Sequence, residues 1–264
     1  MARTPQQWLE DDNLTEARRA AERIIAEDPD DAGVRFMLFE LCAVSEDFDE
    51  AARHLAALPP GYAAAREHYG GLLSAEKRRR EVLLQATGQP GFLIQPPRHV
   101  HVHLGLIRRL ADGDLDLVQR ALDDLKLPPR SGTIDNDPFI GIRDCDDLLA
   151  PVIEFVVPGA YGWLPIAQLE RITFVPPQGY PDVIWAPATV QLRGVKTEQL
   201  VKIPTLYVGT GQRSDTEMLG LETRWERPIE GMSRAFGQRD LIIETPDGQR
   251  TLKGIRQIQE IVFT

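Results

Sequence analysis

Two cysteines in 264 residues leave little room for sulfur chemistry. Cys42 and Cys145 belong to no Cys-x-x-Cys or Cys/His zinc spacing. Cys42 lies in the apolar run around Leu38 and Leu41, a place for a small buried hydrophobe. Cys145 stands between Asp144 and Asp146, whose carboxylates disfavour a thiolate nucleophile. Histidine is missing beyond His103; the five are His54, His68, His99, His101 and His103. Histidine-dependent catalysis would have to be built across both halves of the chain. No apolar run approaches a membrane span, and Met1 to Glu10 lacks the apolar core of a secretory signal. The expected location is cytoplasmic, with no membrane partner. Bases are in deficit, 30 Lys and Arg against 40 Asp and Glu, for a net charge of −10. That balance excludes general nucleic-acid binding, which needs cations to meet phosphates. Gly209-Thr210-Gly211 lacks the Gly-Lys-Ser/Thr of a phosphate loop, and no Gly-x-Ser-x-Gly elbow occurs.

What is present is ordinary for a globular protein: 42% hydrophobic and 27% charged residues, enough chain for one large domain or two. Charge is uneven along it. Residues 1–50 carry 14 acids and 5 bases, whereas residues 51–130 carry 8 acids and 12 bases. Solvated helix faces account for this pattern, and an acidic docking face is the functional alternative.

The first 130 residues read as successive helices. Leu14, Ala17, Ala21, Ile24 and Ile25 form one apolar stripe; Val34, Met37, Leu38 and Leu41 form a second; Phe48, Ala51, Ala52 and Leu55 form a third. Asn13, Asp30 or Asp31, and Asp47 are candidate N-caps. Leu14-Thr15-Glu16-Ala17 returns as Phe48-Asp49-Glu50-Ala51, 34 residues later, which is the tetratricopeptide (TPR) period. A third echo comes at Asp112-Gly113-Asp114-Leu115-Asp116, with Leu115 67 residues after Phe48, and continues through Val118, Ala121, Leu122 and Leu125. The charged run Glu76-Lys77-Arg78-Arg79-Arg80-Glu81 reads first as a solvated helix face and second as a contact site.

Leu127-Pro128-Pro129-Arg130-Ser131-Gly132 has linker composition. Beyond it the texture turns to short β-branched segments. Candidate strands are 152–157, 171–175, 183–185, 189–193 and 199–203, with a hairpin of 241–245 and 250–253 around Asp247-Gly248. Residues 255–263 suit a last strand or a short helix. Pro181, Pro187 and Pro204 are expected at strand ends or edges. The expected fold is α+β in two domains: a TPR-like helical repeat over 1–130 and a β-rich, barrel-like domain over 131–264.

Candidate chemistry is thin. His99, His101 and His103 would converge on a metal if they lay on a strand, and would diverge on a helix. The following Leu104, Ile107 and Leu110 favour a helix. Asp135, Asp137, Asp144, Asp146 and Asp147 form an acidic cluster. Asp144 and Asp146 suit a metal clamp or acid/base pair of an enzyme, but turns and ion pairs are the preferred reading. A calcium loop from Asp135 fails, with Ile140 where Gly belongs and Asp146 where Glu belongs. No cofactor site is expected. Trp163 and Trp185 each lie close to a proline, Tyr161 would share a strand side with Trp163, and all three suit either β-domain core or partner contact.

Several blocks occur in a fixed order: Asp144-x-Asp146, Pro151-x-x-Glu154, Gly159-x-Tyr161-x-Trp163-Leu164-Pro165, Asp182-Val183-Ile184-Trp185-x-Pro187-Ala188, Ile203-Pro204-x-x-Tyr207, Trp225 and Gly237-Gln238-Arg239. Together with the helical repeat they resemble the ImpE/TagJ (SciE-type) family of type VI secretion accessory proteins. The resemblance implies a non-enzymatic cytoplasmic adaptor at the contractile sheath. It implies binding to the N-terminal helical segment of the small sheath subunit TssB and a link to the ClpV ATPase, direct or indirect. Asp144, Asp146, Tyr161, Trp163, Asp182, Trp185 and Tyr207 are the candidate partner-binding residues. The sequence departs from the family pattern at Leu148-Leu149-Ala150, at Leu206 and at Gly209-Thr210-Gly211. A metal enzyme at Asp144/Asp146 and a generic TPR scaffold unrelated to secretion are the alternatives.

Overall fold

Three polar side chains close the helix starts where the sequence puts them. Asn13 accepts from the Glu16 amide at 2.9 Å, Asp31 from Val34 at 2.9 Å and Asp47 from Glu50 at 3.4 Å. They cap α2 (Leu14–Glu27), α3 (Ala32–Val44) and α4 (Phe48–Ala56), and Thr4 caps α1 (Pro5–Glu10) ahead of them. The computed structural model describes residues 3–124 and 127–264. Leu14 and Phe48, one period apart, each open the first helix of a hairpin: α2 with α3, then α4 with α5 (Ala63–Leu83). Ala17, Ala21 and Ala51 are fully buried at these helix contacts, where a small side chain lets two backbones approach.

A third hairpin pairs α6 (Arg98–Ala111) with α7 (Leu115–Asp124). The third echo therefore falls on the second helix of this hairpin, not on the first helix of a further repeat, since the next described element is a strand. Val118 is buried there and Leu115 exposed; Leu125 lies outside the described residues. His99, His101 and His103 sit on α6 and diverge: His101 is exposed, whereas His103 is buried and reaches the Leu148 carbonyl at 2.7 Å.

The β half begins with β1 (Gly132–Ile134), β2 (Asp137–Phe139), β3 (Gly141–Asp144), β4 (Val152–Val157), β5 (Ala160–Pro165) and β6 (Leu169–Phe174). After α8 (Tyr180–Ile184) come β7 (Trp185–Leu192) and β8 (Gln199–Pro204). After α9 (Asp215–Met218) come β9 (Thr223–Glu226), β10 (Arg234–Gly237), β11 (Asp240–Glu244), β12 (Arg250–Gly254) and β13 (Glu260–Phe263). Eight strands form an antiparallel sheet in the order β2-β1-β13-β6-β7-β8-β4-β5; β12-β11-β3 and β10-β9 form smaller sheets.

The large sheet is open, which corrects the barrel-like expectation. Its edges do not meet because each is ended differently. β2 is three residues long and carries Pro138. Its turn from β1 uses Asp135 and Asn136 at φ 51° and 76°, the primed hairpin geometry. At the other edge, Gly91 covers β5, donating to the Tyr161 carbonyl and accepting from the Trp163 amide at 2.9 Å each.

Proline placement follows from which amides are needed. Pro204 ends β8, as expected. Pro181 instead opens α8, where a first-turn amide has no helical partner, so of 183–185 only Trp185 is strand, as the first residue of β7. Pro187 lies inside β7, a central strand. Its carbonyl accepts from Val175, just past the end of β6, so its missing N–H falls where that ladder has stopped.

β4 joins the two halves. Val152 and Val156 belong to the core shared with the helices, while Ile153 and Phe155 belong to the core between the large sheet and β11. The alternation of a strand thus feeds two cores, and both faces of β4 are buried.

Candidate functional site

The surface where α5 crosses β4 holds a chain of buried charges. Arg79 lies on the α5 face that carries Leu72, Leu73, Ala75 and Val82. It donates to both carboxylate oxygens of Glu154 on β4, at 2.9 and 2.8 Å, to the Leu206 carbonyl at 2.7 Å and to Glu76 at 3.2 Å. Glu76 also accepts from the Trp185 indole at 2.8 Å. Trp163 donates to the Tyr161 hydroxyl at 2.5 Å, and that hydroxyl donates to Glu154 at 2.7 Å. On the far side, Arg239 Nη1 lies 3.0 Å from Glu154 without hydrogen-bond alignment, and its Nε donates to Asp144 at 2.7 Å. Tyr207 donates to Asp144 at 2.8 Å.

The energetics explain why these residues stay together. Burial works against the Arg79 charge, yet Glu154 and Glu76 hold its pKa above the ordinary value. Burial pushes Glu154 up, but Arg79 and Arg239 more than offset it and the carboxyl ends below its usual range. For Asp144 burial wins over Arg239, and its carboxyl is pushed up to about 6. A paired, hydrogen-bonded network of this kind specifies one docking geometry more than it adds net stability.

A second lock joins the halves at the α3–α4 turn. Glu46, at φ 55°, accepts from the Gly209 amide at 2.8 Å and the Thr210 amide at 3.2 Å. Gly211 packs so closely that a Cβ there would meet the Ser45 carbonyl at 2.2 Å. Gly209-Thr210-Gly211 thus cradles a protein carboxylate where a phosphate loop would cradle a nucleotide.

Six of the seven candidate partner-binding residues face inward. Asp144, Asp146, Tyr161, Trp163, Trp185 and Tyr207 are each at most 4% exposed. The structure brings five of them into the charge network. Asp146 sits beside it, accepting from Arg234 at 2.8 Å and from the Leu148 amide at 2.8 Å. As a contact patch for a partner they are unavailable in this arrangement, because all six are buried. Asp182 lines an open cleft, paired with Lys202 at 2.8 Å.

All four carboxylate oxygens of Asp144 and Asp146 accept from protein donors. Among the described residues, no His/Cys/Asp/Glu group is arranged to hold a metal ion. Asp135, another member of the acidic cluster, holds a turn and pairs with Lys253 at 2.9 Å.

The decisive block is the β half: residues 136–259 match the family described as ImpE protein. The β half carries an ImpE domain. Residues 9–76 match the tetratricopeptide repeat, a span that holds α2, α3 and α4 and runs into α5. The chain is 29% identical over 234 residues to the type VI secretion system accessory component TagJ of Pseudomonas aeruginosa, covering 85% of this chain and 82% of that protein. A crystallographically solved protein of Vibrio parahaemolyticus shares the fold, with a TM-score of 0.86 at 20% identity over 98% of this chain and 97% of that one.

Sequence reasoning missed the residues that join the ImpE domain to the repeat. Glu76 and Arg79 were expected on a solvated face, yet both are buried. Their spacing held the signal: positions 72, 76, 79 and 83 make one helical stripe, with Leu at each end. Glu154 and Arg239 stand in blocks that carry the family resemblance, with nothing in sequence to pair them. Glu46 had no signal, because its partners are backbone amides distant in the chain.

Proposed function

We propose that this ImpE-domain chain is a non-enzymatic, cytoplasmic adaptor of a type VI secretion system. It binds the N-terminal helical segment of the small sheath subunit TssB and so modulates recycling of the sheath by ClpV. The observation that carries this reading is the union of an ImpE domain and a TPR pair in one chain, together with its similarity to a protein named for an accessory role. Among the described residues no helix is long and apolar enough to cross a membrane, which is consistent with a cytoplasmic place. The occupied oxygens of Asp144 and Asp146 favour the adaptor over a metal enzyme.

The partner helix docks between α2 and the α3–α4 turn. A cleft of about 520 Å³ opens there, lined by Arg18, Arg19 and Glu22 of α2, Glu46, Arg80 and Gln212. Stacked helical hairpins present such faces to an amphipathic helix. Both signs of charge line it, so orientation of the helix is set by ion pairs at the rim. The buried network acts indirectly, holding the ImpE domain against the repeat so that the face keeps its shape. Calorimetry with the TssB N-terminal segment tests the proposal; no heat at high micromolar concentration sinks it for this chain.

A further inference from the structure

A different cleft, on the side of α3 and α5 that meets the α8–β7 corner, has a volume of about 540 Å³. Phe36 and Glu40 stand four residues apart on α3 and line it together. Tyr69 of α5 stands edge-on to Phe36, with ring centroids 5.7 Å apart at 61°. Pro181 and the Asp182–Lys202 pair close the opposite wall. Because Lys202 is neutralised by Asp182, the wall adds no free charge. Glu40 is the unbalanced group. Among the described residues it makes no hydrogen bond and no ion pair, although it is partly buried among these rings. No cation acts on it, and burial alone pushes its carboxyl up to about 7. A partly desolvated carboxylate without a counter-ion is a cost unless something brings the opposite charge.

We propose that this cleft receives an arginine side chain from a protein partner, with Glu40 as its counter-ion and Phe36 and Tyr69 as its flanking rings. Arginine suits the site because a planar, weakly hydrated guanidinium packs on aromatic rings and pairs with a carboxylate at once. The apolar remainder, Val175, Pro176 and Pro187, matches the aliphatic stem and its neighbours in the partner chain. The site is separate from the cleft between α2 and the α3–α4 turn, so it stands whether or not TssB is the helix bound there.

The test is an NMR titration of the full chain at pH 8, where Glu40 is ionised, with two blocked peptides. One is acetyl-Ala-Leu-Arg-Ala-amide; the other replaces arginine by citrulline, its neutral isostere. The Phe36 and Tyr69 ring signals are expected to shift with the arginine peptide and to need at least tenfold more of the citrulline peptide. Glu40→Gln should abolish the difference, and Tyr69→Leu should weaken binding of the arginine peptide while leaving a preference. Equal binding of the two peptides, or a preference that survives Glu40→Gln, overturns the proposal. Spermidine shifting the same signals at lower concentration than the arginine peptide also overturns it, in favour of a free polyamine.

Discussion

Arg79 and Glu154 form a two-pronged ion pair, Nε to Oε1 at 2.9 Å and Nη2 to Oε2 at 2.8 Å, with both side chains buried. One belongs to the last helix of the repeat and the other to a central strand of the ImpE domain. The pair therefore ties domain docking to the charge state of both partners. Arg79→Met leaves Glu154 and Glu76 short of a cation in a dry interface. It should cost about 3–5 kcal/mol, read as a lower midpoint in urea denaturation. Arg79→Lys should recover only part of this, since an ammonium cannot make the fork.

The loop lock predicts a steric failure. Gly211→Ala places a Cβ against the Ser45 carbonyl, a contact that backbone cannot relieve cheaply. Stability should fall by roughly 2–4 kcal/mol, and limited proteolysis should cut first near residue 211. Gly61→Ala, with open space around it, serves as the control and should change little.

Glu40 predicts a stability change at alkaline pH. Its folded pKa of about 7 lies above the ordinary 4.5, so the folded state holds its proton longer than the unfolded one. Stability from this group is full below about pH 4.5 and is lost as pH rises through 7. Glu40→Gln should therefore stabilise the chain by roughly 1–3 kcal/mol at pH 8 and not at pH 4. Thermal melts across that range check the sign.

His103 works in the opposite direction. Burial drops its pKa from 6.5 to about 4, and outweighs the Leu148 carbonyl, whose hydrogen bond to the ring works in the other direction. The unfolded chain takes the proton first, so stability is full above pH 6.5 and falls as pH drops towards 4. The loss should reach roughly 3 kcal/mol, and His103→Gln should flatten that part of the profile.

Both thiols should be silent in the native protein. Burial pushes Cys42 up to about 12, and burial with the Asp144 carboxylate raises Cys145 further. A disulfide-exchange reagent at pH 8 should titrate neither until denaturant is added. Reaction of either in the native state would contradict their placement.

Local chemistry was legible along the chain wherever a residue's job is done by its near neighbours. The 34-residue return from Leu14 to Phe48, the caps at Asn13, Asp31 and Asp47, and the Asp247-Gly248 hairpin all depend on contacts within one helix or turn. The order of the Asp, Trp and Tyr blocks carried the family for the same reason: it is linear. Tertiary structure alone decided what those blocks do. Tyr161 and Trp163 share a face of β5, and only the arrival of α5 on that face makes it an inside. Glu76 and Arg79 read as solvated charges until Trp185 and Glu154, 109 and 75 residues away, turn them into a buried pair. The sheet stayed open because Gly91, outside the β half, covers its edge. A charge is cheap in water and costly in a core, and which of the two surrounds it is settled by packing between segments far apart in the chain.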